Sequence, residues 1–166
     1  MSKIVYIIRH AKSRHAFPGE SDFSRPLNET GLQQVEKMAA RLSEIKDRID
    51  MIFCSSALRT KQTAIGLATA WGLDPNKIQF VDELYHASEE TITQFISSIN
   101  NSCNTAIIVA HNPGVTDFVN ELSTEFKIDD VPTCGAIGIE TIGDNWIDFS
   151  DASKRVIFWG YPNQNK

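Results

Sequence analysis

Arg9-His10 ends the apolar run Ile4-Val5-Tyr6-Ile7-Ile8, and His111 ends the run Ile107-Ile108-Val109-Ala110. An imidazole can serve as a nucleophile and hold a transferred group as a covalent intermediate. A guanidinium stays charged, and its fork matches the oxygens of a phosphoryl group bidentately. A second arginine, Arg59, follows a third apolar run in Ser55-Ser56-Ala57-Leu58-Arg59, and a carboxylate, Glu83, follows a fourth in Asp82-Glu83. This set suits phosphoryl transfer, where positioning and charge neutralisation do most of the work. The arginines also favour a neutral imidazole, by like-charge repulsion against an ordinary pKa of about 6.5. Neutral His10 is the form that attacks phosphorus. His111 is the expected cation at the transition state, since bound phosphate favours its protonated form.

The elements around these residues alternate. Residues 3–9 read as a strand and 14–27 as a loop. Residues 29–46 carry an apolar stripe at helical spacing, with Asn28 as N-cap. A strand over 49–54 leads to a helix over 57–71, stopped at Gly72. A weaker strand covers 78–82. Ser88 then caps a helix with Glu89 and Glu90 in its first turn, where the dipole favours acids. Residues 105–110 form the second continuous apolar strand. Asn112-Pro113 is expected to open the next helix, with Asn as N-cap and Pro at the first helical position, supplying free backbone N–H donors to an anion. Residues 135–141, 146–150 and 155–159 read as strands with no helix between them. The alternation predicts an α/β fold in three layers, α/β/α, with a mostly parallel central sheet and helices on both faces. Ligands in such sheets bind beyond the carboxyl ends of the strands. There the two histidines, two arginines and the carboxylate converge. No linker or repeat divides the chain, so residues 1–166 read as one domain.

Composition excludes several classes. A net charge of -5 argues against broad nucleic-acid binding. No apolar run approaches the roughly 20 residues of a membrane span, and the N-terminus shows no signal-peptide pattern. Cys54, Cys103 and Cys134 form no paired motif, which points to a reducing, cytoplasmic setting. Four residues, none of them glycine, separate Cys54 from Arg59, which disfavours a cysteine-phosphatase loop and leaves Cys54 a core thiol. His10, His15, His86 and His111 lack zinc-site spacing. There is no Walker loop, dinucleotide fingerprint or nucleophile elbow. Asp129-Asp130 reads as a solvated loop.

These residues carry a resemblance. Arg9-His10-Ala11-Lys12-Ser13 resembles the first motif of the histidine phosphatase superfamily, also called phosphoglycerate mutase-like. Asp22-x-x-Arg25-Pro26-Leu27 with Gly31 is similar to its next block. The stretch from Ser55 through Arg59 to Gln62-Thr63-Ala64 is similar to its second-arginine block, and Val109-Ala110-His111-Asn112-Pro113 to its second-histidine block. The compact length and the spelling of the first and last motifs are most similar to SixA-type phosphohistidine phosphatases. The resemblance implies a phosphoglycerate mutase-like fold, no metal and no cofactor. It implies His10 as the phosphorylated nucleophile, with Arg9, Arg59 and His111 forming the phosphate pocket beside Asn112. Arg25 lines the pocket mouth in this reading, or else orders its loop through an ion pair. Glu83 takes the place of the acid that protonates the leaving group. Ala11 stands where glycine is commoner, and Arg14-His15 where Ser-Trp is often seen. The implied activity is a metal-independent phosphatase acting on phosphohistidine in a signalling protein or on a small phosphomonoester. The alternatives are a phosphate- or phosphoprotein-binding module with weak turnover, and a phosphoglycerate-type mutase.

Overall fold

The computed structural model describes residues 2–122 and 127–164. Its strands are β1 (Lys3–Arg9), β2 (Met51–Ser55), β3 (Ile78–Val81), β4 (Thr105–Ala110), β5 (Ala136–Thr141) and β6 (Lys154–Gly160), and its helices are α1 (Glu29–Arg41), α2 (Leu58–Trp71), α3 (Glu89–Ser97) and α4 (Gly114–Glu121). The strands form one sheet in the order β3-β2-β4-β1-β5-β6. β3, β2, β4 and β1 are parallel neighbours, and β5 and β6 add an antiparallel pair on the β1 side.

The continuous apolar runs are explained by burial on both faces. Along β1, Val5 and Ile7 pack into a core with Ile92 and Ile96 of α3 and Val115 and Phe118 of α4. Tyr6 and Ile8 face the opposite core, with Val35 and Met38 of α1 and Ala64 and Leu67 of α2. β4 divides in the same way, Ala106 and Ile108 to one side and Ile107 and Val109 to the other. Helices therefore cover both faces, as the alternation predicts.

Local signals act where they stand. Asn28 caps α1 by accepting from the Gly31 N–H, Ser88 caps α3 by accepting from the Thr91 N–H, and Gly72 ends α2 in the left-handed region at φ 67°. Three expectations need correction. The helix expected over 29–46 ends at Arg41 and tightens into a 3-10 segment, Ser43–Arg48, which keeps Leu42 in the core. Residues 146–150 are not a strand. Trp146–Asp148 form a 3-10 turn, because Trp146 and Phe149, three residues apart, are both buried and the Trp146 indole N–H donates to Cys103 O at 2.7 Å. At the start of α4, Pro113 is the N-cap and Gly114 the first helical residue, one position later than expected. The N–H groups of Val115, Thr116 and Asp117 are bonded to His111 O, Asn112 Oδ1 and Pro113 O, so these three are not free for an anion. Among the described residues, no helix is long and apolar enough to cross a membrane.

Candidate active site

β1 and β4 are parallel and in register, with Arg9 opposite Ala110. Their last residues therefore deliver His10 and His111 side by side, ring centroids 5.3 Å apart. The His10 backbone is clamped from both sides: its N–H donates to Ala110 O at 3.1 Å, and its carbonyl accepts from the Cys134 N–H at 3.0 Å. Arg59 enters from the first turn of α2, its side chain 4% exposed.

The loop after β1 is tied down by the residues of the later motifs. Ala11 N–H donates to Thr63 Oγ1 at 3.0 Å, and Leu27 N–H donates to Gln62 Oε1 at 2.7 Å. A side chain at Gly31 would put its Cβ 2.1 Å from Lys12 O, so only glycine lets α1 approach this closely. Ala11 needs no glycine freedom, since the non-glycine residues with positive φ among the described residues are His86 and Cys134.

The chemistry of the partners settles both tautomers. His10 Nδ1 lies 2.7 Å from Ala11 O, which can only accept, so Nδ1 carries the proton. Arg59 Nε–H donates to His10 Nε2 at 3.3 Å, so Nε2 presents its lone pair. Burial pushes His10 down to about 4. The Ala11 hydrogen bond opposes that, and the charges of Arg59, Arg9 and Arg25 reinforce it. His111 Nδ1 accepts from Arg59 Nη2 at 3.2 Å, which leaves Nε2–H to donate to Ser55 Oγ at 2.8 Å. Burial, then His10, Arg59 and His86, push His111 down to about 3 against the pull of Asp22. Both rings are neutral here. The nitrogen of His111 that a second proton would occupy is Nδ1, on the Arg59 side.

Asp22 is the hub of the site, a role its motif does not reveal. Its Oδ1 accepts from Arg25 Nε at 3.0 Å and Nη2 at 2.8 Å. Its Oδ2 accepts from Arg59 Nη2 at 3.0 Å and Tyr85 Oη at 2.7 Å, with His86 Nε2 at 3.5 Å. Its backbone carbonyl accepts from Arg59 Nη1 at 2.8 Å. Burial works to raise its pKa, but the donors Tyr85, Arg25 and Arg59 outweigh it and hold the carboxyl far below the usual range. Arg25 also donates to Ser13 Oγ and Arg14 O, so it both orders its loop and lines the site.

These residues surround a cavity of ≈ 350 Å³ lined by Arg9, Arg25, Arg59 and Lys12, by His10, His86 and His111, and by Asp22, Ser13, Asn112 and Thr133. Four cations face one carboxylate, an environment for an anion. Arg9 Nη1 donates to Val131 O at 2.8 Å and Asp130 Oδ2 at 3.3 Å, while its buried Nε has no hydrogen-bond partner. Such an orphan donor among anion-binding side chains fits a missing phosphoryl oxygen. Asp130 is thus a partner of Arg9 rather than a purely solvated residue. Asn112 Nδ2 donates to Asp130 Oδ1 and Val131 O, and its Oδ1 accepts from Thr116, so its polar atoms serve the loop. Glu83 does not line the cavity. It is exposed in the 3-10 turn Asp82–Leu84, where Leu84 fills the core, and the chain reaches the cavity three residues later at His86. Tyr85 and His86 are site residues the motifs did not mark, and Ser55, which opens the second-arginine block, enters the site as the partner of His111. The position of Tyr85-His86 beyond a strand end was their only signal. Among the described residues no group of three or more His, Cys, Asp or Glu side chains is arranged to hold a metal ion.

Six strands with helices on both faces, and a cationic cavity at the carboxyl ends of β1, β2 and β4, define the phosphoglycerate mutase-like α/β class. Residues 5–97 match the model of the histidine phosphatase superfamily (branch 1), and the chain belongs to that family. It is 28% identical to a candidate phosphohistidine phosphatase SixA of Agrobacterium tumefaciens, with a TM-score of 0.78 over 96% of this chain and 98% of that one. It shares its fold with the protein histidine phosphatase SixA complexed with tungstate, at 21% identity and a TM-score of 0.77, covering 96% of this chain and 97% of that one. An uncharacterized protein of Mycobacterium leprae is 25% identical over 93% of this chain and 99% of its own length.

Proposed function

We propose that this protein is a metal-independent phosphatase that takes a phosphoryl group onto His10 Nε2 and releases it to water. The carrying observation is the hydrogen-bond pattern of His10: the proton is held on Nδ1 by Ala11 O, and the Nε2 lone pair faces Arg59. The ring needs no deprotonation before it attacks. As the P–Nε2 bond forms, the bond from phosphorus to the leaving group breaks with its electron pair going to that group, and charge on the equatorial oxygens meets Arg59 and Arg9, the latter with a free Nε–H. Entry of a phosphate dianion offsets the cations that disfavour a charged His111, so its Nδ1 takes a proton and adds a third cation. Water then attacks phosphorus and sheds a proton to solvent at the open rim, the P–Nε2 bond breaks, and the electron pair returns to Nε2.

Two observations support a phosphorylated protein side chain, phosphohistidine first, as substrate. The cavity rim is open, with His86 60% exposed and Asp22 42% exposed. The Agrobacterium protein, with 28% identity, is a candidate SixA phosphohistidine phosphatase. The test is a phosphate-release panel of phosphohistidine proteins, sugar phosphates and nucleotides, with and without EDTA, beside acid-quench labelling with radioactive substrate. Label on the wild type and none on His10→Ala, with turnover surviving EDTA, is the expected result. Normal turnover by His10→Ala overturns the mechanism.

A further inference from the structure

We propose that His86 is the proton donor to the leaving group, which extends the enzyme's substrates to phosphomonoesters with poorly leaving alcohols. This rests on the phosphatase reading above and names the group that reading leaves open. Departure of an alkoxide needs a proton, and the cavity offers few sources. Its guanidinium and ammonium groups do not release a proton near neutrality. Asp22 is ionised and held by Arg25, Arg59 and Tyr85. His10 is the nucleophile, the Nε2–H of His111 is committed to Ser55 Oγ, and His111 Nδ1, which lies against Arg59 Nη2, gains its proton only to hold the equatorial oxygens beside Arg59. Ser13, Asn112 and Thr133 are not acids. Glu83 is outside the cavity. His86 remains, and imidazole is the side chain whose ordinary charge change falls between pH 5 and 8.

Its geometry suits the role. Nε2 lies 3.5 Å from Asp22 Oδ2, and among the described residues nothing pairs with Nδ1. The ring packs on Tyr85, centroids 4.0 Å apart, stands 5.8 Å from His111 and is 60% exposed at the rim, while His10 is buried. The charged and titratable groups facing it are Asp22, Tyr85 and His111, with Arg25 and Arg59 on the far side of Asp22. The backbone is held in an unusual conformation to achieve this. His86 has φ 55°, and the following Ala87 carbonyl approaches α4 so closely that a Cβ on Gly114 would lie 1.9 Å from it. Backbone outliers of this kind cluster at functional sites.

The step balances. The lone pair of His10 Nε2 forms the N–P bond, the P–O bond breaks with its pair going to oxygen, and that oxygen takes the proton from His86 Nδ1. In the second half His86 is reprotonated from solvent, and the attacking water sheds its proton to bulk solvent at the open rim as the O–P bond forms and the P–N bond breaks, so this half, common to all substrates, does not depend on His86.

His86→Asn is the test variant, because asparagine tolerates the left-handed backbone. The wild type and variant are compared on an alkyl phosphate, on aryl phosphates spanning a range of phenol pKa, and on a phosphohistidine protein, over pH 5–9. The expected result is a fall of roughly 10²-fold in kcat on the alkyl phosphate. A much smaller fall is expected on the best aryl leaving group and on phosphohistidine, with a steeper dependence on leaving-group pKa and loss of the alkaline limb for poor leaving groups. An equal fall on every substrate, or no fall on the alkyl phosphate, overturns the proposal. Absence of turnover by the wild type on all substrates defeats the phosphatase reading itself, a separate outcome.

Discussion

Lowering the pH from 8 to 5 should cost the fold about 2 kcal/mol through His10 alone. Burial holds this ring at about 4, against an ordinary value of about 6.5. Between those values the unfolded chain binds the proton and the folded chain does not, so stability rises with pH. The contribution is fully present above pH 6.5 and is lost as pH falls toward 4. The linkage relation gives about 2 kcal/mol at pH 5 and about 3 kcal/mol once pH passes below 4. His111, pushed down to about 3, contributes in the same direction. The two rings oppose each other's charge, so their losses are not additive. Urea unfolding at pH 8 and pH 5, on wild type and His10→Asn, reads this directly. The pH-dependent loss should be smaller in the variant by about 2 kcal/mol. Parallel losses in the two proteins would refute the claim that His10 is buried neutral. Nitrogen-detected NMR at pH 6 gives an independent reading: the His10 signal should be that of the Nδ1–H tautomer.

Three further outcomes follow from the geometry. Arg59→Lys keeps a charge but loses the fork that meets His10, Asp22 and His111, so kcat should fall by roughly 10²–10³-fold, the range for loss of one transition-state donor. Gly31→Ala drives a Cβ into Lys12 O and should cost about 1–3 kcal/mol in a denaturant melt, with a raised KM because the loop after His10 is displaced. Thr63→Val strands the Ala11 N–H, which should cost about 1–3 kcal/mol by the same melt while leaving the cavity residues in place.

The legible parts of the site are those written in local periodicity. Arg9-His10 and His111 stand at the ends of runs too apolar to be exposed on either face, and parallel pairing of such runs brings their ends together. Arg59 follows from the same logic one strand over. Glu83 and His86 show the limit. Both follow β3, and nothing in their spacing says which of them the turn at Asp82–Leu84 carries to the cavity. That depends on Leu84 reaching the core and on Gly114 admitting the Ala87 carbonyl, contacts made with residues far along the chain. The 146–150 segment failed for a related reason: its aromatic and β-branched residues suit a strand, but Trp146 and Phe149 are drawn inward together.

By itself the sequence determined the α/β layering, the helix caps at Asn28 and Ser88, and the identity of the four residues at the strand ends and first helical turn. Each rests on periods of two or 3.6 residues, or on a cap and its near neighbours. Only the tertiary structure decided which nitrogen of His10 bears the proton, that Asp22 gathers Arg25, Arg59 and Tyr85, and that Arg9 keeps a buried donor free. A tautomer or an orphan donor is set by atoms that arrive from other elements. Asp22 is 37 residues from Arg59 and 63 from Tyr85, so no local pattern could record their meeting.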